Sequence, residues 1–526
     1  MDDAPVPVAE PTLMLEAASE FASYPGSYND ASVKEFLDRF PLPMLFRSLQ
    51  NEEEIPGLEE TIVSCLDKIF STKYGASFLP NCVPFIQAGL QANSQTIRCL
   101  ACKAVSNLLE NAEDMEAAVQ TIEEHKLYPL LINCLVDGNE QTSTASLDAI
   151  KKIAHSPEGL SVIFPTHGEG SNQLKNLAAN SSSLGRIRIL SIIVKLFSIS
   201  CSVATAVNDS NLLNLFEVEI KDSRDMLTSL SALELLYELV ESPYSTTVLL
   251  KSTLLQLLID MISNSTVDSV LRSRAALISG RLLSSADAYA VIDEPSVTTL
   301  LLTINERLKL LDEQNTDESE SEIEALGLIG ATNQGANLLL TSTLNVARHV
   351  IDLSFDRQCR GKQLAALLAL GSICGADRLE DKIMLNNRAE EQLRSLVYAV
   401  AADSPKLTPS GLLLSVLRQE PEVRIAGYRL TAAMVVRQWC LREVCSNQEI
   451  ISIVTDQKIE ATKNGMEMRH DCCVAISKAL STSPLLCDAT IAGIAEKLQE
   501  AVRRGPYLAK KHTEEAQPIV VTAERF

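Results

Sequence analysis

The side chains of this sequence that could do chemistry are few and poorly grouped. Cys99 and Cys102 form a CxxC pair, a spacing found in zinc and redox sites. A structural zinc site needs about four ligands, and no two of the six histidines stand at a metal-ligand spacing. We interpret the pair as packing positions on an amphipathic helix and expect no metal site.

A second group, His470-Asp471-Cys472-Cys473, contains the residue types of a nucleophilic site. The four residues are consecutive on a predicted helix, so their side chains point in different directions. Residues 166–170, THGEG, have the wrong spacing for a phosphate-binding loop and lack its lysine. We therefore expect no catalytic residue and no cofactor, and predict that the protein is not an enzyme.

The elements that carry these residues are amphipathic helices, and the stretch Ser94–Asn111 shows the pattern. Ala101, Ala104, Val105 and Leu108 fall at i, i+3, i+4 and i+7 and make one apolar stripe. Two of the four are alanines, which allow a neighbouring helix to approach closely. Such a helix needs another on which to stack.

The same stripe returns at a nearly constant spacing. With Leu108 as a register mark, ten positions have apolar or small residues at −3, −4 and −7: Ile69, Leu108, Ile153, Leu196, Leu239, Leu282, Ile329, Ile373, Met434 and Leu480. One copy is imperfect, since Glu322 stands at −7 from Ile329. Successive marks are 39, 45, 43, 43, 43, 47, 44, 61 and 46 residues apart, and armadillo or HEAT repeats are about 40–47 residues long.

This spacing predicts an all-α fold, a right-handed α-solenoid of about ten armadillo/HEAT-like repeats over residues 12–500. A short apolar helix, a polar break and a long helix follow one another in each repeat, which favours armadillo repeats. Asp, Asn, Ser and Thr at the breaks can cap the next helix. Residues 1–11 are predicted to be disordered, and 501–526 to form an extended or disordered tail.

Two segments depart from the regular pattern of the repeats. Residues 312–324 hold seven carboxylates in thirteen residues, which indicates a solvated loop or helix start, or alternatively a docking or phosphorylation segment at Ser319 or Ser321. The 61-residue spacing predicts an insertion at 403–421, in which Gly411–Leu417 would form a short extra helix.

Composition limits the partners. The formal charge of −22 disfavours nucleic acid and anionic membranes, and no run of 18 apolar residues predicts a membrane span. Thirteen scattered cysteines and a start without a secretory signal predict free thiols in the cytosol or the nucleus. We expect a monomer when the protein is free.

Binding is expected on the concave surface that stacked long helices build. Residues at −5, −2 and +2 from each mark face away from the stripe. The candidates for partner binding are Asp148, Lys151, Glu234, Tyr237, Glu241, Arg429 and Lys478. The Glu234, Tyr237 and Glu241 group would form an acidic patch with an aromatic anchor, suited to a basic partner, although an ordinary solvated helix face is an alternative for each residue.

The ladder of Trp and Asn by which nuclear-import adaptors grip basic peptides is missing. Trp439 is the single tryptophan, and among the positions at −1 from the marks Asn107 is the single asparagine. A generic armadillo scaffold or a transport adaptor with another protein cargo stays open as an alternative function.

Several stretches resemble the 26S proteasome non-ATPase regulatory subunit 5 family. They are Pro41–Leu49 at the start of the first repeat, Ile150–Phe164 with its glycine-marked turn, Pro421–Trp439, and Gly505-Pro506-Tyr507 followed by a lysine, where Leu508 replaces the family's second tyrosine. The resemblance keeps the order of these stretches over nearly the full length.

The resemblance implies a chaperone for assembly of the proteasome regulatory particle base. Members of that family bind the C-terminal domains of ATPase subunits of the 19S base in an intermediate and are absent from the finished particle. A non-catalytic, acidic solenoid agrees with such a role.

Overall fold

The structure, a computed structural model, describes residues 11–24, 29–50, 57–165, 173–221, 225–310, 316–342, 344–487 and 489–507. Within these ranges every regular element is a helix and none is a strand, so the predicted all-α class is confirmed. The solenoid comprises two compact units, unit 1 (Met1–Leu249) and unit 2 (Leu250–Phe526).

Unit 1 contains seventeen α-helices in the part of the chain that the structure describes. They are α1 (Pro11–Ser23), α2 (Asp30–Arg39), α3 (Leu42–Gln50), α4 (Leu58–Phe70), α5 (Lys73–Ala76), α6 (Val83–Leu90), α7 (Gln95–Glu110), α8 (Met115–Glu124), α9 (Leu127–Asp137), α10 (Glu140–Ile153), α11 (Pro157–Ile163), α12 (Gln173–Asn180), α13 (Ser183–Phe197), α14 (Cys201–Asp209), α15 (Asn214–Lys221), α16 (Met226–Val240) and α17 (Ser245–Leu249). A 3₁₀ turn, Leu79–Cys82, precedes α6. The predicted disordered segment 1–11 lies outside the described residues except for Pro11.

Unit 2 contains fifteen α-helices in its described residues. They are α18 (Leu254–Ser263), α19 (Ser269–Leu282), α20 (Ala288–Val291), α21 (Glu294–Leu310), α22 (Thr316–Ile329), α23 (Asn333–Thr341), α24 (Val346–Phe355), α25 (Arg360–Cys374), α26 (Asn387–Asp403), α27 (Pro409–Leu417), α28 (Pro421–Met434), α29 (Gln438–Ser446), α30 (Gln448–Thr455), α31 (Lys463–Ser481) and α32 (Ala489–Arg504). The 3₁₀ turns Glu380–Lys382 and Pro484–Cys487 join them.

Every third helix carries one of the ten marks, and we call these ten the long helices. In unit 1 they are α4, α7, α10, α13 and α16, each packed on the next, and in unit 2 they are α19, α22, α25, α28 and α31, packed in the same way. All ten marks are buried, none more than 4% exposed. Each repeat therefore has three helices, and the marks form the seams between repeats.

The polar breaks cap the long helices as predicted. Asn139 Oδ1 accepts a hydrogen bond from Thr142 N at 2.9 Å and begins α10. Five more long helices have a side-chain cap of this kind, from Ser94, Ser182, Asp225, Asp268 and Thr462. A cap of this type is worth about 1 kcal/mol, so each of these helices has its own start signal.

The turn after a long helix is closed by a glycine in several repeats. Gly159 N donates to Ser156 Oγ at 2.9 Å, and a Cβ placed on Gly159 would lie 1.8 Å from the carbonyl oxygen of Ile153. Two other repeats use the same arrangement with threonine in place of serine, at Thr72 to Gly75 and Thr332 to Gly335. The turn passes so close to the end of the long helix that a side chain has no room.

The acidic segment 312–324 is less solvated than expected. Its first four residues lie outside the described part, and the rest enters α22 as the predicted helix start. Glu318, Ser319 and Glu322 are at most 3% exposed, because α22 packs between α19 and α25. Ser319 is therefore closed to a docking protein or a kinase, and Ser321 Oγ donates to a carbonyl of its own helix at 3.0 Å.

The segment 403–421, predicted as an insertion, contains α27, which includes the short helix expected at Gly411–Leu417. Helix α27 packs on α24, α28 and α30, as the second helix of an ordinary repeat would. The additional length of this repeat lies further upstream, since α26 has 17 residues where the corresponding α23 has 9.

The folded part of the solenoid extends beyond residue 500, its predicted C-terminal limit. Helix α32 continues to Arg504, and Gly505 then adopts a left-handed conformation with φ of 75°. Gln457 Nε2 donates to the carbonyls of Gly505 at 2.8 Å and Tyr507 at 3.0 Å. The first residues of the predicted tail 501–526 therefore belong to the folded unit, and those after Tyr507 lie outside the described residues.

Arg378 joins the ends of two long helices in unit 2. Its guanidinium donates to five backbone carbonyls and one side-chain oxygen, those of Gly330 (2.9 Å), Ala331 (3.1 Å), Ser372 (3.1 Å), Ile373 (2.7 Å), Ile383 (3.3 Å) and Asn333 Oδ1 (2.9 Å). Burial lowers the pKa of Arg378 to about 10, so the group stays charged at neutral pH. It donates to carbonyls at the C-terminal ends of α22 and α25, where a helix leaves its last carbonyls without an intrahelical partner.

A buried acidic cluster occupies the first turns of α22. Glu318 Oε1 accepts from Arg272 Nε and Arg307 Nε, both at 2.7 Å. Glu322, one turn later and fully buried, has no hydrogen-bond partner for either carboxyl oxygen among the described residues. Burial and the nearby Glu318 charge raise the pKa of Glu322 well above 4.5, so its surroundings favour the neutral form.

Replacing Glu322 by leucine is expected to stabilise unit 2 by about 1–3 kcal/mol at neutral pH, because a buried polar group without a partner is removed. The folded-state pKa is raised, so the contribution of Glu322 to stability is greatest below about pH 4.5 and falls as pH rises toward the folded pKa. The gain over wild type should therefore grow as pH rises, and urea denaturation at several pH values measures it.

Two further variants test this expectation. Glu322→Gln should remove the same pH dependence with a smaller gain, because the amide is still polar. Glu324→Leu, at an exposed position two residues along the same helix, should change stability by less than about 0.5 kcal/mol. An equal gain from both leucine variants would contradict the assignment to the buried carboxyl.

Candidate functional site

A polar groove crosses three long helices of unit 1, and we call it groove 1. It has a volume of about 840 Å³ and lies on α4, α7 and α10. Its lining residues are Asp67, Ser71, Cys99, Lys103, Ser106, Asn107, Glu140, Gln141, Thr144, Ala145, Asp148 and Lys152. They come from the sides of the long helices that the apolar stripes leave uncovered.

The lysines of groove 1 are paired across helix boundaries. Lys103 Nζ lies 2.6 Å from Asp67 Oδ2, and Lys152 Nζ lies 2.5 Å from Glu110 Oε1. Burial opposes the charge of Lys103, but the hydrogen bond and the charge of Asp67 outweigh it and leave the pKa of this lysine raised. These pairs link neighbouring repeats. The charged residues that line groove 1 carry a net negative charge, to which Asp148 contributes.

Unit 2 has a corresponding but more apolar groove, groove 2, of about 770 Å³ on α19, α22, α25 and α28. Leu328, Leu364 and Leu368 line it, and Leu368 is 43% exposed. Small residues make up much of the rest of the surface, namely Gly327, Ala331, Gly361, Ala365 and Ala369. An apolar strip bordered by the carboxylates Glu320 and Glu324 offers a helix of a partner protein a place to pack.

Arg429 forms one edge of groove 2 by crossing from α28 onto α25. Its Nη1 donates to Leu368 O at 2.9 Å and its Nη2 to Ser372 Oγ at 3.1 Å. It also pairs with Asp377. A Cβ at Gly371 would lie 2.4 Å from Nη1, so the guanidinium lies directly over that glycine and is held in place.

The uncovered faces of stacked long helices are thus the main grooved surface of each unit. Residues 44–519 match the model of a protein family described as the proteasome non-ATPase 26S subunit. The chain belongs to this family. A proteasome-related role follows from the membership.

Other comparisons add little to the family assignment. No curated protein sequence matches this member of the 26S subunit family. Among solved structures, an engineered protein from the Northeast Structural Genomics Consortium is similar at 15% identity and a TM-score of 0.41, covering 80% of this chain and 99% of that one.

The predicted binding residues of unit 1 lie on the long helices of this family member as expected from their register. Asp148 is exposed and lines groove 1, and its Oδ1 lies 4.0 Å from Lys151 Nζ. Glu234 on α16 and Glu241, the C-cap of that helix, are exposed, and Tyr237 on α16 is half-buried. These three share one helix face and lie outside the lining of groove 1, so partner binding by them stays a prediction.

In unit 2 the predicted residues are engaged in internal ion pairs. Arg429 lines groove 2 with the contacts given above, and Lys478 Nζ lies 2.5 Å from Glu380 Oε1 with both side chains exposed. Both carboxylate partners belong to the connection between α25 and α26. The structure therefore gives these two cations a clear role within the unit, whereas binding of a partner stays a prediction.

The sequence reasoning missed groove residues at −9 and −1 from the marks. Leu364 stands at −9 from Ile373, Leu328 at −1 from Ile329, and Lys152 at −1 from Ile153. Projection of each long helix at 100° per residue would have placed them beside the −5 and −2 positions. The uncovered face of a long helix therefore includes the −9 and −1 positions as well as −5, −2 and +2.

The thiols of Cys102 and Cys134 interact with each other, but the described thiols and histidines form no metal-binding group. Cys102 is buried while Cys99 is half-buried, and burial raises the pKa of Cys472 and also that of Cys473, to about 11. The described residues hold no group of three or more His, Cys, Asp or Glu side chains arranged for a metal ion. Among them, too, no helix has the length and apolarity needed to cross a membrane.

Proposed function

We propose that the protein is a non-catalytic chaperone for assembly of the 26S proteasome regulatory particle base, of the subunit 5 type. It would bind the C-terminal domains of proteasomal ATPase subunits in an intermediate and leave before the particle is complete. The match to the 26S subunit family over residues 44–519 carries this proposal. We further propose that it acts in the cytoplasm or the nucleus as a monomer.

The long-helix surfaces supply a physical basis for such binding. A small helical domain can pack on the apolar strip of groove 2, and the net charge of −22 favours a basic partner surface. A bound chaperone of this size would cover the ATPase domain and so prevent the ring from docking on the core particle until release.

A pull-down from cytosol tests the proposal. Recovery of ATPase subunits of the base without the 20S core is expected of an assembly chaperone. Recovery of other proteins without those subunits would instead favour the alternative of an armadillo scaffold or transport adaptor. Recovery together with the complete 26S particle would show a resident subunit and contradict release.

Charge reversal on α16 is expected to weaken ATPase binding at least about tenfold, because Glu234→Lys with Glu241→Lys turns an acidic patch basic. The effect should fall as salt rises, since exposed charges are screened. Biolayer interferometry with a recombinant ATPase C-terminal domain measures the affinity.

The matched control is Glu123→Lys with Glu124→Lys, two exposed residues of α8 that is not a long helix. It changes the net charge by the same amount and should leave affinity within about twofold. Equal losses in the two double variants would show a general charge effect and reject the α16 patch, while leaving the family assignment intact.

A further inference from the structure

Unit 1 holds an aromatic groove on its short helices, away from the long ones. Four rings line it, those of Phe46 on α3, Tyr74 on α5, Phe78 after α5 and Phe85 on α6. Phe46 and Phe85 stack with centroids 4.4 Å apart, and Tyr74 meets Phe78 edge-on at 5.1 Å. Aromatic residues make up 4% of the chain, so four at one surface groove are a marked concentration.

The rings are not needed to fill the core beneath them. The neighbouring apolar residues Leu79, Val83 and Ile86 are at most 5% exposed and already close that core. Phe85 is 39% exposed and the other three rings are half-buried. Exposed aromatic surface of this kind generally marks an interaction site.

The volume and the polar groups of the aromatic groove limit the kinds of ligand that it can bind. At about 430 Å³ it is at the small end of ligand pockets, roughly 300–1,000 Å³, which suits a short extended segment better than the side of a helix. The Tyr74 hydroxyl and the Asn81 amide line it, and neither is hydrogen-bonded to another described residue. Asp38 is the single charged side chain in the lining.

We propose that this aromatic groove binds an extended, proline-containing peptide of a partner protein that carries a basic residue beside its prolines. Pyrrolidine rings pack on the open surface of aromatic rings in a groove, and the polyproline conformation is already formed before binding. Proline has no N–H, so such a ligand offers carbonyl acceptors, which Tyr74 and Asn81 can meet with donors. Asp38 pairs with the basic residue.

The test uses the full chain and a fluorescein-labelled peptide with two Pro-x-x-Pro motifs and one flanking arginine, read by fluorescence anisotropy. Phe85→Ala is expected to weaken binding at least about tenfold, because it opens the stacked pair. Asp38→Lys should weaken it about fivefold and abolish the preference for the arginine. Tyr74→Phe keeps the ring and removes the donor, so it should weaken binding about threefold to tenfold without altering the fold.

Three comparisons decide the matter. Tyr24→Ala, an exposed aromatic outside this lining, should bind like wild type, and a peptide with alanine in place of each proline should not bind. Equal binding of the alanine peptide, or binding unaffected by Phe85→Ala, overturns the proposal. If wild type binds nothing but a chain without residues 2–10 does, the groove is covered by the chain's own proline-containing segment and the external partner is rejected.

Discussion

Replacing Arg378 by methionine is expected to destabilise unit 2 by about 4 kcal/mol, because five part-buried backbone carbonyls lose this donor at once and each hydrogen bond contributes about 1 kcal/mol. The affected carbonyls close the C-terminal ends of α22 and α25. Urea denaturation should show a lower midpoint, and hydrogen exchange should rise first at these helix ends.

Two variants control for charge and for side-chain length. Arg360→Met removes an arginine whose side chain is 55% exposed and pairs with Glu422 at the surface, and it should cost less than about 0.5 kcal/mol. Arg378→Lys keeps the charge but cannot present a planar fork to carbonyls on three segments, so most of the loss should persist. Full rescue by lysine would show that charge, and not the fork of donors, holds the helix ends.

Replacing Gly159 by alanine is expected to destabilise unit 1 by about 3 kcal/mol. The added methyl group would lie 1.8 Å from the carbonyl oxygen of Ile153, so the backbone of the turn must move away from the end of α10. That movement also weakens the hydrogen bond from Gly159 N to Ser156 Oγ. Thermal unfolding of the full chain should show a lower first transition.

Gly493→Ala is the matched control, since Gly493 lies in helix α32 and a Cβ there meets nothing within 4 Å. Alanine should stabilise this helix by up to about 1 kcal/mol through its higher helix propensity. Opposite signs are therefore expected from the same substitution at two positions. Stabilisation at both would mean that the turn after α10 can relax without cost.

Local patterns were sufficient to predict the seams. An apolar stripe is a property of one helix, and its return every 39–47 residues, with one spacing of 61, indicates where helices stack. All ten marks, from Ile69 to Leu480, are buried. The caps were also predictable, because Asn139 and its counterparts act on residues two or three positions ahead. Both signals lie within a single repeat.

Contacts between distant segments could not be predicted from the sequence in this way. Arg378 donates to backbone carbonyls 47 and 48 residues earlier in the chain, and backbone carbonyls leave no sequence signal. The partners of Arg429 and Lys478 lie 52 and 98 residues away, in a connection without repeat character. In the sequence Glu322 was visible only as an imperfection of the apolar stripe, and its burial results from the packing of α22 between α19 and α25.

The candidate site was predictable in outline. Offsets from the marks placed Asp148 and Arg429 on the uncovered faces, where they line groove 1 and groove 2. The difference between a polar groove and an apolar one was not foreseen, since it depends on which residues of successive helices come together. The aromatic groove was not predicted from the sequence, because Phe46, Tyr74 and Phe85 belong to three short helices.

The individual caps of the long helices affect how the molecule tolerates destabilising substitutions. Because Ser94, Asn139 and Ser182 each start their own helix and each repeat touches mainly its neighbours, a harmful change in one module is felt by the modules beside it and fades beyond them. Sequence changes can therefore accumulate in one region while distant regions keep their shape.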